Sequence, residues 1–218
     1  MGELFADTLA AVTVRTIVVS GTATLLAVLA GVPLGYVIAR RNFPGRTILL
    51  GFVNTGMGMP PVVVGLVVWL MLVRSGPFGS LDLVYTRSAM ILAQFLIATP
   101  IVMGFTTASF QALPPQLPDL LIVLGAGRIR RLWLLAREAR LGLLVAIMAA
   151  FGAIVSEVGA SMIVGGNLER STRVLTTAIV TETSRGQVER ALALGLVLLG
   201  LAFAVNLTLT IVQQRPRA

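Results

Sequence analysis

The 218-residue chain contains no cysteine, no histidine and no lysine. Without cysteine there is no disulfide framework and no thiol chemistry. Without histidine the commonest general base and the commonest metal ligand are gone, so neither a metal site nor a bound cofactor is expected. All 17 basic residues are arginine. A Walker A loop needs its lysine on the nucleotide phosphates, so this chain does not hold ATP that way, and any ATP-driven work falls to a partner. Charge is scarce too: 12% of residues are charged against 56% hydrophobic, and mean hydropathy is +0.94. Soluble domains carry about 25% charged residues, so the composition is that of an integral membrane protein. The hydrophobic runs hold no paired carboxylates, which argues against a membrane enzyme as well.

What the chain does have is five hydrophobic runs, over roughly residues 9–39, 48–73, 88–110, 141–164 and 191–212. Each is long enough to cross a bilayer as a helix. The fold class is therefore all-α, a polytopic membrane protein with about five transmembrane helices. A signal peptide starts with basic residues. Here the start is acidic (Glu3, Asp7) and the first run is too long for a signal core, so that run reads as a retained span. Within it Gly31-Val-Pro-Leu-Gly35 puts two glycines on one helical face, which suits close helix contact or a kink.

The net charge of +8 raises nucleic acid as a partner, but the arginines flank the hydrophobic runs, the pattern of membrane orientation. No nucleic-acid partner is expected; the lipid bilayer is. Ten arginines lie in the loop after the first run, in the segment 113–140 and at the C-terminal tail, offset by Asp119 and Glu138. The other side carries seven arginines against six acids, with Glu157 counted apart inside a run. The positive-inside rule then places segment 113–140 and the C-terminus in the cytoplasm and the N-terminus outside.

Two interruptions stand out. In Met57-Gly-Met-Pro-Pro-Val, Pro60 and Pro61 cannot both sit in an undisturbed helix. Broken backbone at membrane depth is tolerated where it is buried in protein or lines a watery cavity, so this kink either lines a pathway or only improves packing. The second is the segment 113–140, LPPQLPDLLIVLGAGRIRRLWLLAREAR. It opens with prolines, turns at Gly125-Ala126-Gly127, and carries Arg128, Arg130, Arg131, Arg137 and Arg140. Such a segment lies against one face of the membrane. The polar stretch after Asn167 carries Val174, Leu175, Ala178 and Ile179 at helical spacing, the pattern of a short helix lying on or dipping into the outer face.

Segment 113–140 resembles the coupling loop of importer-type ABC permeases, whose signature is Glu-Ala-Ala, three residues and Gly. Asp119 stands at the acid, Leu120 and Leu121 at the alanines, and Gly125 at the glycine; Arg137 and Glu138 replace the Leu-Pro that ends the family pattern. Met59-Pro-Pro-Val-Val-Val-Gly-Leu66 with Arg74-Ser-Gly-Pro-Phe-Gly-Ser-Leu81 resembles molybdate- and sulfate-type permeases. Ser156-Glu157-Val158-Gly159-Ala160 with Val164-Gly-Gly-Asn167 resembles their Gly-Glu-Phe-Gly-Ala…Gly-Asn element, and the variants present look most like the tungstate branch. The resemblance implies one ABC importer transmembrane domain over residues 12–213, of the type I, molybdate/methionine permease-like fold, with a cytoplasmic coupling helix.

It also implies the partners: a second copy of the chain, two cytoplasmic ABC ATPase subunits that bind the ATP and Mg, and an external substrate-binding protein. The chain itself is then a transport subunit and not an enzyme, placed in the inner membrane. The cargo implied is an oxyanion, tungstate first and then molybdate. Alternatives are a permease for sulfate or another small anion, or a self-contained channel or secondary transporter. Residues implied for ATPase coupling are Asp119, Gly125, Ala126, Gly127, Arg128 and Arg131; the arginines equally suit orientation and anionic-lipid contact. Pathway or gate candidates are Pro60, Pro61, Ser156, Glu157, Gly159 and Asn167. An intramembrane carboxylate is a functional-site candidate by default. A bare carboxylate repels a dianion, which favours Glu157 as a gate, paired with an arginine or bonded to backbone, over direct substrate contact; a protonated packing residue is the third reading.

Overall fold

The structure is a computed structural model that describes residues 2–214, with side chains from Leu9 onward. The side chains of Glu3 and Asp7 and the tail residues Arg215 and Arg217 lie outside the described residues. Among the described residues there are ten α-helices and no strand: α1 Gly2–Arg40, α2 Arg46–Met57, α3 Pro61–Leu72, α4 Arg87–Gln111, α5 Leu117–Val123, α6 Arg128–Glu138, α7 Arg140–Val155, α8 Gly159–Gly165, α9 Leu175–Ser184 and α10 Val188–Gln214. A single 3-10 turn, Gly79–Leu81, lies between α3 and α4.

Helix α4 is the axis of the molecule, with α1, α2, α3, α7 and α8 all packed on it. Small residues make this possible. Ala23 and Ala27 of α1, Ala89, Ala93 and Ala98 of α4, Ala150 of α7 and Ala160 of α8 form the buried core together with Val102, Ile154 and Val164. In a bilayer, apolar burial gives helices no reason to prefer each other over lipid, so close packing of small residues does the work. The Gly31/Gly35 face is where α1 meets α4: a Cβ on Gly31 would stand 2.9 Å from Val102 Cβ, and one on Gly35 2.8 Å from Met103 O. Thr107 Oγ1 donates to Gly35 O across the same contact at 3.2 Å.

Three helices are individually long and apolar enough to cross a membrane: Leu9–Arg40, Arg87–Gln111 and Val188–Gln214. Two bent pairs bring the number to as many as five, α2 with α3 (103°) and α6 with α7 (69°). The first bend has the predicted cause. Helix α2 ends at Met57, Pro60 is the extended N-cap of α3, and Pro61 is its first residue, where a missing N–H costs nothing. In the second pair the corner is the buried Ala139, which closes α6 and opens α7.

The run expected over 141–164 is not one continuous helix. Helix α7 has 16 residues, about 24 Å at 1.5 Å per residue, and stops before a break at Ser156, Glu157 and Val158 that turns the chain into α8. The stretch after Asn167 does form a helix, α9. Its apolar residues Leu175 and Ala178 pack on protein, against Val12 of α1 and Leu194 of α10.

Candidate coupling surface and pathway site

The segment between α4 and α7 is anchored from inside and bare at its tip. Leu117 and Leu121 of α5 pack on Phe110, Leu135 and Ala139, beside Tyr36 of α1. Tyr36 and Phe110 meet edge to face at 5.0 Å. Helix α5 ends in a Schellman motif. The Gly125 N–H donates to Ile122 O and the Ala126 N–H to Leu121 O, both at 2.9 Å, with Gly125 at φ +75°. Glycine takes that backbone freely and few other residues tolerate it, which is the physical content of the glycine in this position. Gly127 then N-caps α6.

Around this turn the expected residues fall on one exposed projection. Asp119 sits exposed in the first turn of α5, Arg128 and Arg130 are exposed on α6, and Ala126 and Arg131 are half-buried. Among the described residues none of the three arginines has an ion-pair partner. What the sequence reading passed over is the apolar tip: Val123 is 84% exposed, Leu124 71% and Ile129 85%. The signal was there, since these residues flank the glycine turn, but in a chain this apolar three more aliphatic residues do not stand out. The projection thus presents an apolar tip whose rim carries three arginines without an ion-pair partner among the described residues.

The pathway candidates separate into two places. Gly159, Glu157 and the segment after Pro61 come together where α3 meets α8. The Glu157 carboxylate is buried and caps α8 with both oxygens: Oε1 accepts from the Ala160 N–H at 2.8 Å and Oε2 from the Ser161 N–H at 3.1 Å. Thr176 Oγ1 of α9 donates to Glu157 O at 3.0 Å, tying the break to a third helix. A Cβ on Gly159 would run into Val62 of α3. The carboxylate is thus bonded to backbone, and among the described residues it has no arginine partner. Pro60 and Ser156 are exposed, and Ser156 Oγ donates back to Gly152 O at 2.8 Å. Asn167 lies at the other end of α8, where its Nδ2 donates to Thr181 Oγ1 at 2.7 Å and its Oδ1 accepts from Arg173 Nε at 3.3 Å.

Two buried polar residues escaped the sequence reading. Gln94, in the middle of α4, donates from Nε2 to Ile154 O and to Ser161 Oγ, both at 3.3 Å, and so links α4 to α7 and α8. Arg15, in the first turns of the first run, is buried against the loop before α9. Gln94 is a lone polar residue inside an apolar run, a signal legible in the sequence, whereas Arg15 stands beside Thr13 and Thr16.

Known proteins agree with this architecture. The family described as "Binding-protein-dependent transport system inner membrane component" matches residues 31–218. A "Probable anion ABC transporter permease protein" of Haloferax volcanii is 40% identical over 211 residues, covering 94% of this chain and 91% of its own. The "Tungstate uptake system permease protein TupB" of Peptoclostridium acidaminophilum is 38% identical, over 91% of this chain and 87% of its own. In three dimensions the chain is similar to a solved amino acid ABC transporter structure with TM-score 0.63 at 14% identity, over 96% of this chain and 92% of that one. That likeness is one of fold. With its apolar helices, the chain is a multi-pass membrane protein, and it belongs to the family of inner-membrane components of binding-protein-dependent transport systems.

Proposed function

We propose that this chain is the permease subunit of an ATP-driven ABC importer that carries an oxyanion, tungstate first and molybdate next, from an external binding protein into the cytoplasm. The observation that carries the import mechanism is the anchored, apolar-tipped projection at Gly125 with its unpaired Arg128, Arg130 and Arg131. It suits docking into a cleft on an ATPase subunit, which would hold the ATP and Mg. The cargo follows the relatives whose names specify tungstate, at 38% and 36% identity.

In this reading two copies of the chain face each other across the pathway and two ATPases each receive one projection. Closure of the ATPases on ATP moves the projections, and α6 transmits the movement through the Ala139 corner to α7 as a rigid-body shift. The arginine-rich side, with the projection and the C-terminus, is cytoplasmic; the N-terminus is outside. Glu157 acts as a fixed joint at the α3–α8 contact and keeps its charge away from a passing dianion. Residues 12–213 form the transporter domain.

The test is ATP hydrolysis by the reconstituted complex with its binding protein, comparing tungstate, molybdate and sulfate. Tungstate is expected to stimulate most. Equal stimulation by sulfate overturns the tungstate assignment and leaves an importer of small anions. Uptake into liposomes without any ATPase overturns the importer.

A further inference from the structure

Two arginines from two helices reach onto one loop, residues 167–173 between α8 and α9, which carries Arg170 and Arg173 of its own. Arg15 of α1 donates from Nε to Ala11 O at 3.1 Å and from Nη1 to Arg173 O at 3.0 Å. Arg87, the first residue of α4, donates from Nε to Ser171 O at 2.9 Å. Arg173 donates from Nε to Asn167 Oδ1 at 3.3 Å and from Nη1 to Glu169 Oε1 at 2.8 Å. Among the described residues Glu169 is the sole carboxylate paired with any of the three. Arg170, in the same loop, adds a further cation, so among the described residues four arginines stand against one paired carboxylate.

That surplus is costly where it sits. Arg15 is only 7% exposed, and its guanidinium bonds the backbone of Arg173, itself a cation. A buried cation without a counter-charge is strongly unfavourable, and carbonyl oxygens offset only part of the cost. The loop is also built with care. Thr172 Oγ1 donates to Gly165 O at 2.5 Å and accepts from the Leu168 N–H at 2.9 Å. Arg170 holds a φ of 61°, in the left-handed region that disfavours most side chains. Strain of this kind persists only where the surroundings enforce it, and it concentrates at ligand-binding sites.

Resting on the oxyanion-importer reading, we propose that Arg15, Arg87 and Arg173 around this loop form a receiving site for a tetrahedral dianion, tungstate or molybdate. The excess of arginine over paired carboxylate among the described residues suits an anion. The carbonyl bonds of Arg15 fix its guanidinium in place. Exposed Arg87 commits only Nε among the described residues and keeps both Nη groups for an oxyanion oxygen. The site sits at the end of the bundle where α1 and α4 begin, the side on which a binding protein would release its cargo. Pairing with these arginines would hold a dianion at the mouth of the pathway in place of lost water. A lipid phosphate headgroup shares this chemistry, so the experiment must separate the two sources.

The experiment is a radiolabelled-tungstate titration of the permease–ATPase complex in nanodiscs of zwitterionic lipid, with the binding protein omitted. Saturable binding is expected. Arg87→Gln should weaken it by about tenfold or more through loss of a charge-assisted pair. Arg74→Gln, at an exposed arginine 4.0 Å from Asp82, should leave it unchanged. Arg87→Gln is chosen over Arg15→Gln because an exposed side chain is safer for folding. No saturable binding, or equal binding by Arg87→Gln and wild type, overturns the site. A second set of discs contains anionic phospholipid: tungstate binding that persists supports a cargo site, and binding abolished there assigns the arginines to the headgroup and overturns it. ATP hydrolysis stimulated by loaded binding protein is measured on the same wild-type complex, so loss of the site and loss of the importer reading give different results.

Discussion

Gly65 of α3 lies directly on Ala160 of α8: a Cβ added to Gly65 would stand 2.5 Å from Ala160 Cα and 2.9 Å from Ala160 Cβ. This contact joins the two half-length helices, one starting from the Pro60-Pro61 break and the other from the Glu157 cap. The obstacle is backbone, so a side-chain rotation cannot relieve it. Gly65→Ala should therefore destabilise the detergent-solubilised protein by roughly 1–3 kcal/mol, the usual cost of overpacking. Gly51→Ala is the control. Gly51 lies within α2, with no atom within 4 Å of an added Cβ, and alanine there should be neutral or stabilising by up to about 1 kcal/mol. Thermal unfolding of both variants decides it, and equal melting temperatures would remove the α3–α8 contact from the account.

Glu157 gives the second prediction. Its two oxygens accept two backbone N–H groups at the start of α8. Glu157→Gln keeps the size but sets an amide N–H₂ against one of those donors. It should lose roughly 1–3 kcal/mol of stability, the cost of leaving a buried donor unsatisfied, and uptake should fall in proportion to folded protein. A variant with wild-type melting and no uptake would mean the carboxylate acts by its charge in the pathway and not as a cap.

The helical class and the projecting Gly125 segment were legible because each rests on a local signal. Mean hydropathy and run length identify apolar helices, adjacent prolines end α2, and a glycine between an acid and three arginines marks a turn outside the bilayer. What stayed hidden leaves no mark in a hydropathy window. The sequence leaves Glu157 open between an arginine partner, backbone and a protonated packing role, and the two α8 amides it caps show the backbone bond. The division of 141–164 into α7 and α8 follows from that cap, which no hydropathy window registers. Arg15 passed as one more orienting arginine because its acceptor, Arg173 O, lies 158 residues away.

The Gly125 turn allows a test that separates backbone geometry from side-chain contact. At φ +75° a β-branched residue is strained by about 1–3 kcal/mol, whereas asparagine tolerates the left-handed region. Gly125→Val should reach the membrane yet lose ATP hydrolysis stimulated by loaded binding protein, because the Schellman turn that shapes the tip is distorted. Gly125→Asn should retain most of the stimulation. Identical behaviour of the two variants, whether both active or both inactive, would show that the left-handed turn is not what coupling requires.

The apolar tip itself is the last test. Leu124 and Ile129 are 71% and 85% exposed, so Leu124→Asp and Ile129→Asp remove nothing from the core and should leave thermal stability within about 0.5 kcal/mol of wild type. An ATPase cleft that receives this tip would instead have to bury an unpaired carboxylate, a penalty of several kcal/mol that an interface of modest size cannot absorb. Each variant should therefore co-purify with at least about tenfold less ATPase subunit, while inserting into the membrane normally. Arg128→Gln, at the rim, should weaken association less and mainly at low salt, where exposed charges act over longer distances. If the two aspartate variants retain full ATPase while Arg128→Gln loses it, the arginines carry the docking and the apolar tip does not. In that case the exposed Val123, Leu124 and Ile129 would face lipid, and the ATPase would meet the projection through its arginine rim alone.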